Sequence, residues 1–233
     1  MKSGSLFIAV VIGIVSVGYA GYEMISPSGN DAPLQTNGLS YTGSLSYNVA
    51  LNATGAWTDN PLTISWIVSQ NGNGSWHYKY TYTTGSPNIH DVLIETSTSF
   101  NSGSISNVVY GSYTQNTSYS IDTFTVSDDP ARLTNLPEDI YGIRFTIQPS
   151  SATTFIVDFD SDYAPEWGDF YANCGHAKGD LNSAWNISFT SSDIDPTNPA
   201  QSGTIDNSLL VPSPEPATIA LLGLGFMCIR KRK

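Results

Sequence analysis

The sequence predicts an all-β protein, an antiparallel β-sandwich of jelly-roll type, with an N-terminal signal helix and a short C-terminal transmembrane helix. Three observations carry that expectation. Apolar and aromatic side chains recur at every second position through much of the chain, the spacing that places them on one face of an extended strand. The composition is 12% aromatic and only 12% charged, with abundant Ser, Thr, Asn and Gly, a mixture that suits strands and turns. Between the two ends no stretch shows the 3.6-residue apolar period of an amphipathic helix, so two packed sheets are the expected architecture.

Residues 1–20 read as a signal peptide. Lys2 precedes an apolar run from Leu6 to Val17, and Gly18-Tyr19-Ala20 offers small residues for a cut between Ala20 and Gly21. An uncleaved anchor is the alternative, but the run is short for a span. Residues 21–38 read as a linker, because Glu23 to Asn37 is rich in Pro, Ser, Gly and Asn with little periodicity.

The β domain is expected over residues 39–191. From Leu39 to Leu51 the odd positions Leu39, Tyr41, Leu45, Tyr47, Val49 and Leu51 are apolar or aromatic, which reads as one strand. Leu62, Ile64, Trp66 and Val68 alternate with polar residues and lead into Gln70-Asn71-Gly72-Asn73-Gly74; Trp76, Tyr78, Tyr80 and Tyr82 follow. Two alternating runs joined by Asn-Gly chemistry predict a hairpin. Further strands are expected at 92–96, 107–112, 119–126, 141–147, 153–159, 169–172 and 184–190, giving about ten strands in two sheets. Residues 192–211 read as a second, mobile linker that would hold the domain off a membrane.

Charge narrows the partners. The formal charge is −11, yet between Gly21 and Val211 four cations face nineteen carboxylates, a formal charge of −15. Such a body repels nucleic acid and anionic lipid and tolerates divalent cations, neutral sugars or basic proteins. The two cysteines make no disulfide framework, because Cys228 lies in the terminal apolar run and leaves Cys174 alone.

Within the domain, VDFDSDYAPEWGD gathers Asp158, Asp160, Asp162, Glu166 and Asp169 at spacings close to a calcium loop. Tyr163 stands where that loop requires Gly, so a solvated acidic strand edge is the competing expectation. Glu95 and Glu166 are the carboxylates a glycosidase reading would test first. Cys174-Gly175-His176 lacks an orienting third group, and the three histidines show no zinc spacing. Trp66, Trp76 and Trp185 are in phase with apolar neighbours and are expected in the core, whereas Trp57 and Trp167, beside turn residues, are the ones expected at the surface, where they could contact sugar rings.

Residues 212–233 form the last segment. Pro214-Glu215-Pro216 precedes the apolar run Ala217 to Ile229 and the cations Arg230, Lys231, Arg232 and Lys233. As a helix that run is about 20 Å long, short of a hydrocarbon core of about 30 Å, and basic residues beyond it would snorkel and stay on the cytoplasmic side. Two prolines around one residue forbid helix and fix an extended backbone that a protease can grip. This arrangement resembles the PEP-CTERM sorting signal of Gram-negative bacteria. The resemblance implies that exosortase recognises Pro214, Glu215 and Pro216, that the helix holds the substrate in the inner membrane, that the basic cluster stops transfer, and that the tail is later removed. It further implies association with extracellular polysaccharide and biofilm matrix. WHYKYTY and APEWGDFYANCG are similar to the central domain of certain PEP-CTERM proteins of unassigned function and bring no activity with them. The expected function is therefore that of an exported, non-enzymatic surface or matrix protein; a displayed carbohydrate-binding module is the alternative, and a glycoside hydrolase the least favoured.

Overall fold

The computed structural model describes residues 36–86, 88–111, 117–133, 135–147, 153–174, 182–190 and 195–213. The chain divides into units Met1–Pro33 and Leu34–Lys233, and every described residue belongs to the second. The expected signal helix, the Ala20–Gly21 cut, the Pro-Glu-Pro motif and the C-terminal helix lie outside the described residues.

The strands are β1 (Thr36–Ser46), β2 (Leu51–Ala53), β3 (Thr63–Asn71), β4 (Trp76–Thr83), β5 (Asp91–Glu95), β6 (Ile105–Val109), β7 (Ser118–Phe124), β8 (Ile140–Thr146), β9 (Thr154–Ser161), β10 (Pro165–Gly168), β11 (Phe170–Asn173), β12 (Ser183–Asn186) and β13 (Leu209–Pro212). They form a five-stranded sheet in the order β1-β3-β4-β9-β6, a six-stranded sheet in the order β2-β12-β11-β5-β8-β7, and a ribbon of β10 with β13. Every pairing between these strands is antiparallel. The all-β expectation holds, and helix is confined to one 3₁₀ turn, Gly55–Thr58, among the described residues.

In the five-stranded sheet the alternation does what the sequence promises. Ile64, Trp66 and Val68 on β3, Tyr78, Tyr80 and Tyr82 on β4, and Phe155, Val157 and Phe159 on β9 all turn inward and are buried. Tyr78 stacks on Phe159 at 5.4 Å, and Phe145 of the opposite sheet meets Phe159 at 6.1 Å, so the sheets share one aromatic core. Burial pushes the Tyr78 and Tyr80 hydroxyls well above their ordinary pKa. They therefore stay protonated donors, to the carbonyls of Tyr163 and Leu210, each at 2.8 Å. The predicted hairpin is present, with Gln70 paired to Trp76. Its turn is longer than two residues, and the left-handed position is Gly74, with φ of +93°.

The six-stranded sheet departs from the expected one-sided pattern. Leu93, Phe124, Leu133, Leu136, Ile140, Tyr171 and Phe189 form a second buried cluster on its outer face. Covered on both faces, β11 is buried at all four positions and period two disappears. The sheet is tight at Gly142, where an added Cβ would stand 2.1 Å from the Ile94 carbonyl oxygen.

Two boundaries are corrected. The single strand expected from Leu39 to Leu51 is broken: Asn48 takes φ of +64°, and the chain leaves β1 for β2 in the other sheet. Asn tolerates that left-handed turn, and an alternation that continues across it hides the break. The segment 192–211, read as a mobile linker, includes most of β13, where Leu209 and Leu210 are fully buried and Val211 is 2% exposed. Gly203 N–H donates to Thr42 O at 2.7 Å, and Ser213 N–H to Ala164 O at 3.1 Å. Ordered structure thus extends to Ser213, the residue before Pro214, and no spacer separates fold from motif.

Candidate functional site

A cleft of about 550 Å³ opens beside the β10–β13 ribbon. One wall is aromatic: Tyr41 on β1 and Trp76 on β4 stack at 6.0 Å with an interplanar angle of 16°. The other is acidic, with Glu95, Glu166 and Asp195 lining it. No Lys, Arg or His is among the described residues of that lining.

Next to Glu95 of the acidic wall lies the joint between β10 and β11. Asp169 is the single residue between them, and its side chain is carried inward, leaving the residue 3% exposed. Its backbone bridges to the end of β5 in both directions. Glu95 N–H donates to Asp169 O at 2.9 Å, and Asp169 N–H donates to Glu95 Oε2 at 2.9 Å. Asn186 on β12 donates Nδ2–H to Asp169 Oδ1 and accepts the Phe170 N–H at 3.0 Å through Oδ1. Gly168 lets the Glu95 carboxylate approach, since an added Cβ would lie 3.1 Å from Oε2 and 2.7 Å from Val211 Cγ2. Asp195 arrives on the returning segment before β13. One carboxylate oxygen from each of Glu95, Asp169 and Asp195 lies within 4.8 Å of the others.

Two polar atoms in the same lining have no hydrogen-bond partner: Thr96 Oγ1 and Trp167 Nε1. The residues are 4% and 2% exposed.

The carboxylates named from the sequence are redistributed. Asp158 and Asp160 share the outer face of β9, as period two requires, but they assemble no calcium loop with Asp162, Glu166 and Asp169. Asp160 Oδ1 lies 2.8 Å from His77 Nδ1 and accepts from Asn71 Nδ2 at 3.3 Å, while Oδ2 accepts from Asn107 Nδ2 at 2.7 Å. Burial would raise the Asp160 pKa, and these bonds outweigh it and hold it below the usual value. Asp162 is exposed in the turn after β9. Glu166 lines the cleft outside the group of three, and Asp169 is buried within that group. Glu95 and Glu166, singled out for hydrolysis, do line one cleft. Asp195 was missed, because it lies among Pro, Thr, Asn and Ser residues that read as linker.

Trp57 and Trp167, expected at the surface, are buried at 0% and 2% exposure. The 3₁₀ turn rolls Trp57 into the core, and pairing with β13 covers Trp167. Trp66 and Trp76 are core residues as expected, and Trp185 is half-buried against the outer cluster. Cys174 is buried, with its sulfur accepting Asn182 N–H at 3.3 Å and Nδ2–H at 3.1 Å, a structural setting for a thiol; His176 lies outside the described residues.

A family model described as the PEP-CTERM protein-sorting motif matches residues 214–233. No curated protein and no solved structure matches the chain. The motif implies export, processing by exosortase and a transient membrane anchor. Among the described residues no helix is long and apolar enough to cross a membrane.

Proposed function

We propose that this is a non-enzymatic cell-surface or matrix protein, carried out by its signal peptide, held by residues 217–229 and released from the membrane by processing at Pro214-Glu215-Pro216. The observation that carries the reading is the match at 214–233 directly after Ser213, the end of the described fold. A cut within or beyond the motif spares every residue of the sandwich. The body suits a structural role. Its exposed large apolar side chains among the described residues, Leu39, Val49, Ile67, Val109, Val126 and Ile187, are all aliphatic, and so provide no aromatic strip on which a flat polysaccharide could stack.

Carbohydrate binding is the second reading, favoured by the Tyr41–Trp76 pair on the cleft wall. Hydrolysis has less support. Glu95 Oε2 already accepts the Asp169 N–H, away from the role of a carboxyl poised across a cleft from Glu166.

Replacing Glu215 by Ala is expected to leave the domain folded and the protein membrane-bound. Fractionation of the native host into membrane and medium checks this; equal release of variant and wild type contradicts it.

A further inference from the structure

We infer that Glu95, Asp169 and Asp195 form a binding site for a hard divalent cation, with Ca²⁺ the best fit. The site is independent of the sorting reading. Two oxygens that each lie 2.3–2.6 Å from one calcium ion are at most about 5 Å apart. The three carboxylates already meet that limit, at 4.8 Å or less, without any rearrangement.

Charge points the same way. Glu95 and Asp195 line a cleft whose described lining has no basic side chain, and Asp169, within 4.8 Å of both, is 3% exposed, so water screens it poorly. Thr96 supplies a separate sign of a ligand. It follows Glu95, lines the same cleft, is 4% exposed, and its Oγ1 has no partner. A buried hydroxyl left unpaired is costly, and its lone pairs are the hard oxygens that calcium accepts.

The donor set selects the metal. Zinc, copper and nickel sites draw on imidazole or thiolate, and this set is oxygen only. Mg²⁺ requires a compact octahedron at about 2.1 Å, whereas Ca²⁺ accepts six to eight oxygens in irregular geometry. A cleft of about 550 Å³ leaves room for waters or ligand hydroxyls to complete that shell. Because Asp195 precedes β13 and Glu95 ends β5, a bound ion would clip the C-terminal return to the six-stranded sheet.

The test is thermal melting of the full-length protein in mild detergent, in EDTA and in Ca²⁺. At calcium about one hundred times its Kd, a gain of roughly 5–10 °C is expected for a chain of this size. Asp195→Asn should lose most of that gain, measured against its own melt in EDTA, while Asp162→Asn should keep it. Tb³⁺ offers a second measurement on unaltered protein, with Trp-sensitised emission expected from an ion held at the cleft that Trp76 and Trp167 line, and quenched by added Ca²⁺. A wild-type melt that calcium does not move, a gain that survives Asp195→Asn or is lost in Asp162→Asn, or the absence of sensitised emission would each overturn the site.

Discussion

A chain ending at Asn207 is expected to lose its cooperative melt, whereas one ending at Ser213 melts as the full-length protein does. The difference is β13. Its Leu209, Leu210 and Val211 are 0%, 0% and 2% exposed and pair with Gly168, Trp167 and Glu166. Burying one such side chain is worth about 1.5–3 kcal/mol, so three contribute roughly 5–9 kcal/mol. Domains of this kind are stable by about 5–15 kcal/mol in total. Removal also takes the acceptor of the buried Tyr80 hydroxyl and uncovers Trp167. Circular dichroism on the two chains checks this, and melting of the shorter one within a few degrees of the longer would contradict it. The functional consequence is a sharp limit on processing: a cut before β13 destroys the fold, and a cut at or after Pro214 leaves it whole.

Arg144→Met is expected to destabilise the domain by about 3–5 kcal/mol, the scale found when one partner of a buried ion pair is removed. Asp91 has no side-chain exposure and Arg144 has 13%. The guanidinium donates Nε–H to Asp91 Oδ1 at 3.2 Å and Nη2–H to Oδ2 at 3.0 Å, and Nη2–H also reaches Asp129 Oδ2 at 3.1 Å. Thr146 Oγ1–H donates to Asp91 Oδ1 at 2.8 Å. Burial alone would raise the Asp91 pKa, but bonds from His90 and Arg144 prevail and hold it well below the usual carboxylate range. A carboxylate whose folded pKa lies below its unfolded value of about 3.9 contributes stability above that pH and loses it as pH falls toward the folded value. In the variant, Asp91 is buried without its main partner, its pKa rises, and acid protonation relieves it. The gap between wild type and variant should therefore be widest near neutral pH and narrow below about pH 5. Denaturant melts across pH measure this. A gap that is constant with pH would show that Arg144 acts by packing alone.

The β3–β4 hairpin and the inward set Trp66, Tyr78, Tyr80 and Tyr82 were legible because one face of that sheet is wet and the other dry, so hydrophobicity alternates with the strand. On β11 the same rule is blind, since Phe170 packs inward and Tyr171 packs outward under Phe189 and Leu133, and both are buried. β13 was hidden by its brevity: Leu209-Leu210-Val211 is too short to show a period, and Pro212 argues against a strand unless it lies at an end, where it does. The cleft was half legible. Glu95, Glu166, Trp167 and Asp169 each stand out in the sequence, but nothing local says that Asp195 returns to meet Glu95. Spacing suggested calcium on consecutive acids, while the fold gave Asp160 to His77, Asn71 and Asn107 and sent Asp169 to a different neighbourhood. Turn residues beside Trp57 and Trp167 point to exposure, and tertiary packing overrides that local signal.

The most direct measurement of the central claim is mass spectrometry of the C-terminus of the protein recovered outside its native cell. Export with processing at the Pro-Glu-Pro motif predicts a species that retains Ser213 and lacks the apolar run Ala217 to Ile229 and the cations Arg230 to Lys233. An intact C-terminus ending in Lys233 on the released protein, or a pool found only uncut in the cytosol, would contradict it.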